Sequence, residues 1–368
     1  MKILDIEANM ANLKHNLDII QQKARERTVK TQTIEYDLET LVKKIKRGII
    51  KLNPDYQRKH RWKNDFSSRL IESLILNIPI PLIYISQDID VDTEIDENVA
   101  RYSVIDGQQR LTAIYEFFNN SYRLEGMDIL EELNGLKYNQ LPPFLIRRLE
   151  ERSIKCLRID STVDSQVKYD IFERLNSGSV KLEPQELRNA TCRGPFKHLI
   201  KKLAKTEVFI NLCKLDPDSS RVNKMEDEEL VLRFFALTYK NGYKEYKGKF
   251  KGFLTNKMEY FNSLESDELI EMENQFSNVF TKIKTEIGDN PFRKYKYEKN
   301  EYKLMSNFNS AVFDAIAVAS YLNIDKGINY SSIKSLFKNP DFFQTVEGSV
   351  NDATKINKRI KFVSELFQ

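Results

Sequence analysis

Residues 101–118 read RYSVIDGQQRLTAIYEFF, and their hydrophobic periodicity changes at the midpoint. β-Branched and aromatic residues lead up to Ile105, which predicts a strand, whereas apolar residues recur from Leu111 at i, i+3, i+4 and i+7, as in a helix. Asp-Gly-Gln-Gln-Arg lies between the two patterns, and Gly107 allows a tight turn and the close approach of another molecule. The stretch therefore predicts a strand, a tight turn and a helix.

The start of the predicted helix has the chemistry of an anion site. Helix starts expose unpaired N–H groups and the positive end of the helix dipole. Arg110, in the first turn, adds a charge with the bidentate geometry that suits phosphate. We interpret the stretch as a phosphate-binding turn; the alternative is a structural turn in which Asp106 and Arg110 form an ion pair.

The composition is that of a globular protein. The chain has 368 residues, enough for two domains and a sizeable core, with 41% hydrophobic and 30% charged residues. The formal charge of +4 permits a nucleic-acid partner without requiring one, because 54 acidic residues offset 58 basic ones.

Cysteine and histidine usage argues against metal and disulfide frameworks. The three cysteines are far apart and the three histidines are scattered, which also argues against an HNH-type nuclease motif. No stretch approaches the 18 or so consecutive apolar residues of a membrane span. We expect a cytoplasmic protein with no membrane association and no signal peptide.

A second unusual segment is NPDYQRKHRW, residues 53–62, which has no helical or strand periodicity. Gln57, Arg58 and the only tryptophan, Trp62, suit stacking on a ligand or contact with an anion. The alternative is that Trp62 fills the core and Arg58 is ion-paired.

The rest of the chain predicts a division into three parts. Residues 1–32 form an N-terminal helix or arm, residues 33–195 an α+β domain, and residues 196–368 an all-α domain. Within the last part, residues 243–251 and 293–297 interleave lysine with aromatic residues, which is typical of DNA contact and also of solvated helix ends.

Several motifs, taken in order, resemble one family, the N-terminal domain of the GmrSD type IV restriction endonuclease, which is related to the ParB/sulfiredoxin fold. They are Tyr56-Gln57-Arg58 with Trp62, Ile78-Pro79, Asp106 to Thr112, Phe172 to Gly178, Glu186 to Asn189, Leu232 to Ala236, and Ala311 to Ala315. The resemblance spans roughly residues 33–325.

The resemblance implies a domain that handles nucleotides. The equivalent Gly-x-x-Arg turn of ParB-like relatives binds nucleotide phosphates, and GmrSD-like relatives couple NTP hydrolysis to control of DNA cleavage. Those relatives carry a C-terminal HNH-type nuclease domain, whose histidines and length are not found here. We therefore expect an NTPase of a restriction or phage-defence system; its candidate partners are an NTP with Mg²⁺, DNA, a separate nuclease subunit and a second copy of the chain.

Residues and resemblance together suggest a role for each candidate. Asp106, Arg110, Glu173 and Asn176 are the candidate catalytic residues, and Asp106 is also the candidate metal ligand. The candidate nucleotide-binding residues are Tyr56, Gln57, Arg58, Trp62, Gly107, Gln108, Gln109, Arg110 and Thr112. A non-catalytic nucleotide or DNA sensor is the main alternative function, and a metal-dependent DNase ranks last because no dense carboxylate cluster is seen.

Overall fold

The computed structural model describes residue 21 and residues 29–52, 62–87, 102–160, 165–175, 183–192 and 194–368. These residues divide into two compact units, one up to residue 175 and one from residue 183. Tyr56, Gln57, Arg58 and Asn176 lie outside the described residues. The division into three domains at residues 32 and 195 stays a prediction.

The residues that the structure describes from 29 to 175 contain a five-stranded mixed sheet and five α-helices. Its strands are β1 (Thr31–Asp37), β2 (Ile50–Lys51), β3 (Ile83–Gln87), β4 (Tyr102–Asp106) and β5 (Ser153–Ile159). The helices are α1 (Leu38–Lys46), α2 (Asn64–Ile75), α3 (Gln108–Phe118), α4 (Pro143–Glu150) and α5 (Ser165–Leu175). The sheet order is β1-β5-β3-β4-β2; β5 and β3 are parallel, as are β4 and β2, and the other neighbours are antiparallel.

Local sequence accounts for these elements. The Asp37 side chain caps α1 by accepting a hydrogen bond from the Thr40 N–H at 2.7 Å. Alternate residues of the strands, such as Ile83 and Ile85, join buried residues of α1, α2 and α3 in one core. The amphipathic pattern of residues 65–76 predicts Phe66 on the inward face of α2. This prediction is wrong, because Phe66 is 59% exposed in the first turn of the helix.

In the described residues of the second unit, one hairpin accompanies the helices. The helices are α6 (Pro184–Thr191), α7 (Pro195–Leu203), α8 (Glu207–Cys213), α9 (Ser220–Asn223), α10 (Glu226–Thr238), α11 (Gly242–Glu245), α12 (Phe250–Asn262), α13 (Ser266–Glu286), α14 (Ser310–Leu322), α15 (Tyr330–Ser335), α16 (Pro340–Thr345) and α17 (Ala353–Ser364). Strands β6 (Lys294–Glu298) and β7 (Glu301–Ser306) pair antiparallel. The all-α expectation was therefore wrong here, because the lysine–tyrosine alternation of β6 has the period of a strand.

None of the helices that the structure describes is both long and apolar enough to cross a membrane.

Candidate functional site

The turn between β4 and α3 requires glycine at its centre. β4 ends at Asp106, α3 begins at Gln108, and Gly107 between them has φ +92° and ψ 11°. L-residues with a side chain rarely adopt this left-handed conformation. A Cβ at Gly107 would overlap the Ile83 Cδ1 atom and lie 3.1 Å from the Arg110 Nη2 atom. The backbone of Gly107 therefore lies closer to the Ile83 side chain of β3 than a residue with a Cβ could lie without displacing that side chain.

The start of α3 has the properties of an anion seat. No side-chain hydrogen bond caps this helix, and the first helical bond runs from the Leu111 N–H to the Gly107 carbonyl at 2.9 Å. The N–H groups of Gln108, Gln109 and Arg110 precede that bond, so they have no acceptor within the helix. The Gln108 Oε1 atom is buried and has no hydrogen-bond partner among the described residues.

Arg110 folds back onto the turn rather than extending away from it. Its Nη2 donates to the Asp106 Oδ2 at 2.8 Å, and its Nη1 donates to the Pro81 carbonyl. The Arg110 side chain is 12% exposed and that of Asp106 is 42% exposed. Burial lowers the pKa of Arg110, and the Asp106 charge opposes that shift. This is the ion pair that sequence reasoning left open as the alternative to direct phosphate contact.

Trp62 lies beside the turn. Its backbone N–H donates to the Gln109 Oε1 at 3.2 Å, which connects two motifs 47 residues apart. Because the Trp62 side chain is 37% exposed, the interpretation of this residue as a core plug was wrong. Thr112, which lies in α3, is half-buried.

Glu173 lies on α5, and this helix packs against β4, the strand that leads into the turn. Its side chain is exposed, and its assignment as a catalytic residue stays a prediction. No group of three or more His, Cys, Asp or Glu residues able to hold a metal ion occurs in the described part of the chain. Asp106 is therefore not part of such a group among the described residues.

The Glu186–Asn189 motif belongs to the second unit. Arg188 is 1% exposed, and its Nη1 donates to the Glu229 Oε2 at 3.0 Å. Asn189 is also buried, and its Nδ2 donates to the Glu228 Oε2 at 2.6 Å. Burial raises the pKa of Glu228 to about 7, since little solvent remains to stabilise the carboxylate.

The ion pairs continue through the helical unit. The Arg233 Nη1 lies 3.9 Å from the Glu229 Oε1, and the Arg233 Nε donates to the Asp314 Oδ1 at 3.0 Å. Arg359 donates to the same carboxylate at 2.5 Å. We call this series, Arg188–Glu229–Arg233–Asp314–Arg359, the buried ion chain; it connects α6, α10, α14 and α17.

Sequence reasoning singled out the segments around Arg233 and Asp314 but missed the contact between them. The available signal was one lone charge in each of two otherwise apolar stretches, LVLRFFAL and AVFDAIAVA. Such charges are rarely buried unless they are paired, so opposite lone charges predict each other as partners. The two residues stabilise helix packing.

A comparison with known families matches one part of the chain. No curated protein matches the chain significantly. The family model described as the N-terminal domain of the GmrSD restriction endonuclease matches residues 38–192, a range that includes the turn and α6. The resembling segments at residues 232–236 and 311–315 fall outside it. Residues 38–192 of this chain are thus similar to the GmrSD restriction endonuclease N-terminal domain family.

Proposed function

We propose that the first unit binds a nucleoside triphosphate at the turn between β4 and α3 and hydrolyses it. The observation that carries this proposal is the start of α3. No side chain caps it, and it follows Gly107, where a Cβ would overlap the Ile83 Cδ1 atom. The family match suggests a component of a restriction or phage-defence system. In such a system the nucleotide state would control DNA binding or a partner nuclease.

The backbone of the turn would hold the phosphates. The N–H groups of Gln108, Gln109 and Arg110 would donate to phosphate oxygens, and the missing Cβ of Gly107 would let those oxygens come close. Gln109 and Trp62, joined by a hydrogen bond, would form one wall of the site. The buried Gln108 Oε1 is an acceptor still available to a ligand hydroxyl or amino group.

Arg110 is best assigned as a positioning residue. Both of its terminal nitrogens already donate to protein acceptors, Asp106 and the Pro81 carbonyl. These bonds fix the start of α3 against β3 and hold the Asp106 carboxylate in place. The charge of Arg110 also reduces the repulsion between Asp106 and a polyphosphate.

Asp106 would act on the reacting water. A triphosphate is used as its Mg²⁺ complex, and Mg²⁺ commonly takes one or two carboxylates together with phosphate oxygens and waters. A single half-exposed carboxylate beside a phosphate seat fits that donor set. Asp106 would orient the water, whose oxygen attacks the γ-phosphorus while the bond to the bridging oxygen breaks, releasing the nucleoside diphosphate and inorganic phosphate, and the proton of the water passes to the phosphate oxygens.

The remaining assignments extend the same proposal. Gln57 and Arg58 would approach the phosphates from the segment that contains Tyr56, while Thr112, Glu173 and Asn176 would assist with water or phosphate contacts. We also propose a ParB/sulfiredoxin-like fold for the first unit. DNA, a separate nuclease subunit and a second copy of the chain are the proposed partners.

A non-catalytic nucleotide sensor is the second candidate function. One observation favours it: Asp106 is already paired with Arg110, and it belongs to no group of three or more possible metal ligands in the described ranges. In that case the turn would bind nucleotide without turnover. The same observation speaks against a DNase that uses two metal ions, since such sites need several carboxylates.

Calorimetric titration of the full chain with each Mg²⁺–NTP complex tests binding at the turn. We expect one NTP to bind, Arg110→Ala to weaken its binding at least tenfold, and Asp106→Asn to retain it, since asparagine can still accept from Arg110. Arg123→Ala is the matched control, because Arg123 donates to a loop carbonyl elsewhere in the same unit. Equal binding by Arg110→Ala and wild type would contradict the proposal.

A further inference from the structure

Two neighbouring clefts border α12 in the second unit, and we name them together the α12 groove. The first has a volume of about 420 Å³ and is lined by Tyr239, Lys240 and Tyr260, among others. The second, of about 760 Å³, lies between residues 246–252 and residues 348–353. We infer that the α12 groove binds single-stranded nucleic acid.

The charge of the groove is strongly positive. Residues 240–257 contain six lysines and one acidic residue, Glu245, which pairs with Lys257 at 2.8 Å. Lys240, Lys244 and Lys247 are exposed. The remaining lining carboxylate, Asp352, already caps α17 by accepting from the Lys355 N–H at 3.1 Å. The groove therefore presents an excess of cations suited to a chain of phosphates.

Two buried arginines fix the floor of the second cleft. The side chain of Asn351, which lines that cleft, accepts from the Arg233 Nη2 at 3.2 Å, and the Val350 carbonyl accepts from Arg359. Both arginines belong to the buried ion chain, where they share the Asp314 carboxylate. The floor of the cleft is thus held in place by the helix packing beneath it.

Aromatic rings accompany the lysines in the first cleft. The Lys240 ammonium lies 5.0 Å from the ring centre of Tyr239 and 5.9 Å from that of Tyr260, and it donates to the Tyr260 hydroxyl at 3.3 Å. Tyr260 is 41% exposed. A base can stack on such a ring while the adjacent ammonium contacts its phosphate.

This pairing of rings and lysines favours a single strand over a duplex. The bases of a duplex are stacked on one another, so their faces are not available to Tyr260, whereas unpaired bases can turn onto an aromatic side chain. The backbone at Gly248 and Gly252 is also open, since a Cβ there would meet nothing within 4 Å. A flexible strand can therefore reach into both clefts.

The inference goes beyond the proposed NTPase, because the α12 groove lies outside the residues that match the family. The test uses the full chain without nucleotide, so its outcome does not depend on the turn. A fluorescein-labelled thymidine oligonucleotide is titrated at several NaCl concentrations and followed by fluorescence anisotropy. Each lysine–phosphate contact contributes about 0.7 to the slope of log K against log[NaCl] for a single strand.

We expect wild type to bind the oligonucleotide. The triple variant Lys240→Gln/Lys244→Gln/Lys247→Gln should reduce the magnitude of the slope of log K against log[NaCl] by about 2. Tyr260→Leu should weaken binding about tenfold without changing that slope, since it removes stacking and no charge. The matched control, Lys205→Gln/Lys326→Gln/Lys361→Gln, removes the same charge from exposed positions elsewhere and should leave the slope within about 0.5 of wild type.

Three results would overturn the inference. One is an oligonucleotide affinity that the groove triple variant leaves unchanged. Another is a loss of affinity in Lys334→Gln/Lys338→Gln instead, since those lysines lie over tyrosine rings of the β6–β7 hairpin. The third is tighter binding of a duplex of the same length that Tyr260→Leu does not affect, because this would place the contacts on the phosphate backbone alone.

Discussion

Replacing Gly107 with alanine tests the geometry of the turn most sharply. Gly107 adopts φ +92°, so any L-residue there pays for the left-handed conformation, about 1–2 kcal/mol. The new Cβ would also overlap the Ile83 Cδ1 atom, and this buried side chain must move within the core to make room, which costs about a further 1–3 kcal/mol. Gly107→Ala should therefore reduce the free energy of unfolding by about 2–5 kcal/mol.

Gly135→Ala separates the two contributions. Gly135 has a similar φ of +84°, but a Cβ there would meet nothing within 4 Å. It should therefore lose only the conformational part, about 1–2 kcal/mol. The difference between the two variants then measures the close approach of the turn to β3.

Urea unfolding followed by tryptophan fluorescence is the assay. Trp62, the only tryptophan in the chain, lies in the first unit beside the turn, so the signal reports on that unit. Equal destabilisation by Gly107→Ala and Gly135→Ala would refute the reasoning, because the overlap with Ile83 would then have no energetic consequence. Alanine at residue 107 should also weaken nucleotide binding, since its Cβ lies 3.1 Å from the Arg110 guanidinium.

Two further predictions concern the second unit. Asp314→Asn leaves two buried arginines, Arg233 and Arg359, without their shared carboxylate. The free energy of unfolding, measured in urea by far-UV circular dichroism, should fall by about 3–5 kcal/mol. A fall below about 1 kcal/mol would be inconsistent with the buried ion chain. Glu228→Gln should change the pH dependence of stability. Because the pKa of Glu228 is raised to about 7 in the folded state, the carboxylate destabilises wild type as pH rises from about 4.5 to 7. The variant should match wild type near pH 4 and exceed it by about 1–3 kcal/mol at pH 8; equal unfolding curves at pH 8 would contradict this.

The first unit was the easier to predict, because its signals are local. The change from strand to helix periodicity around Gly107 gave the correct elements. The alternation of SIKCLRI at period two predicts a strand, and β5 spans Ser153–Ile159. Asp37 is of a residue type favoured at helix starts, and it caps α1. In each case the residues that decide the structure are neighbours in sequence.

Contacts between distant residues were harder to predict. The hydrogen bond between Trp62 and Gln109, and the ion pair between Arg233 and Asp314, join positions that no periodicity relates. The alternation of lysine and tyrosine in Lys294–Glu298 is compatible with a basic aromatic surface and with a strand. The pairing with β7 shows that it forms a strand. The fold-back of Arg110 depended on the position of the Pro81 carbonyl, which the sequence does not specify.

Phosphate release by the purified full chain tests the central claim most directly. Each of the four NTPs would be supplied with Mg²⁺, with and without DNA, to wild type and to Asp106→Asn. The account predicts turnover of at least one NTP by wild type and its loss in Asp106→Asn, while calorimetry shows that the variant still binds the nucleotide. If wild type releases no phosphate from any NTP, or if Asp106→Asn turns over at the wild-type rate, the assignment of Asp106 as the catalytic residue is wrong.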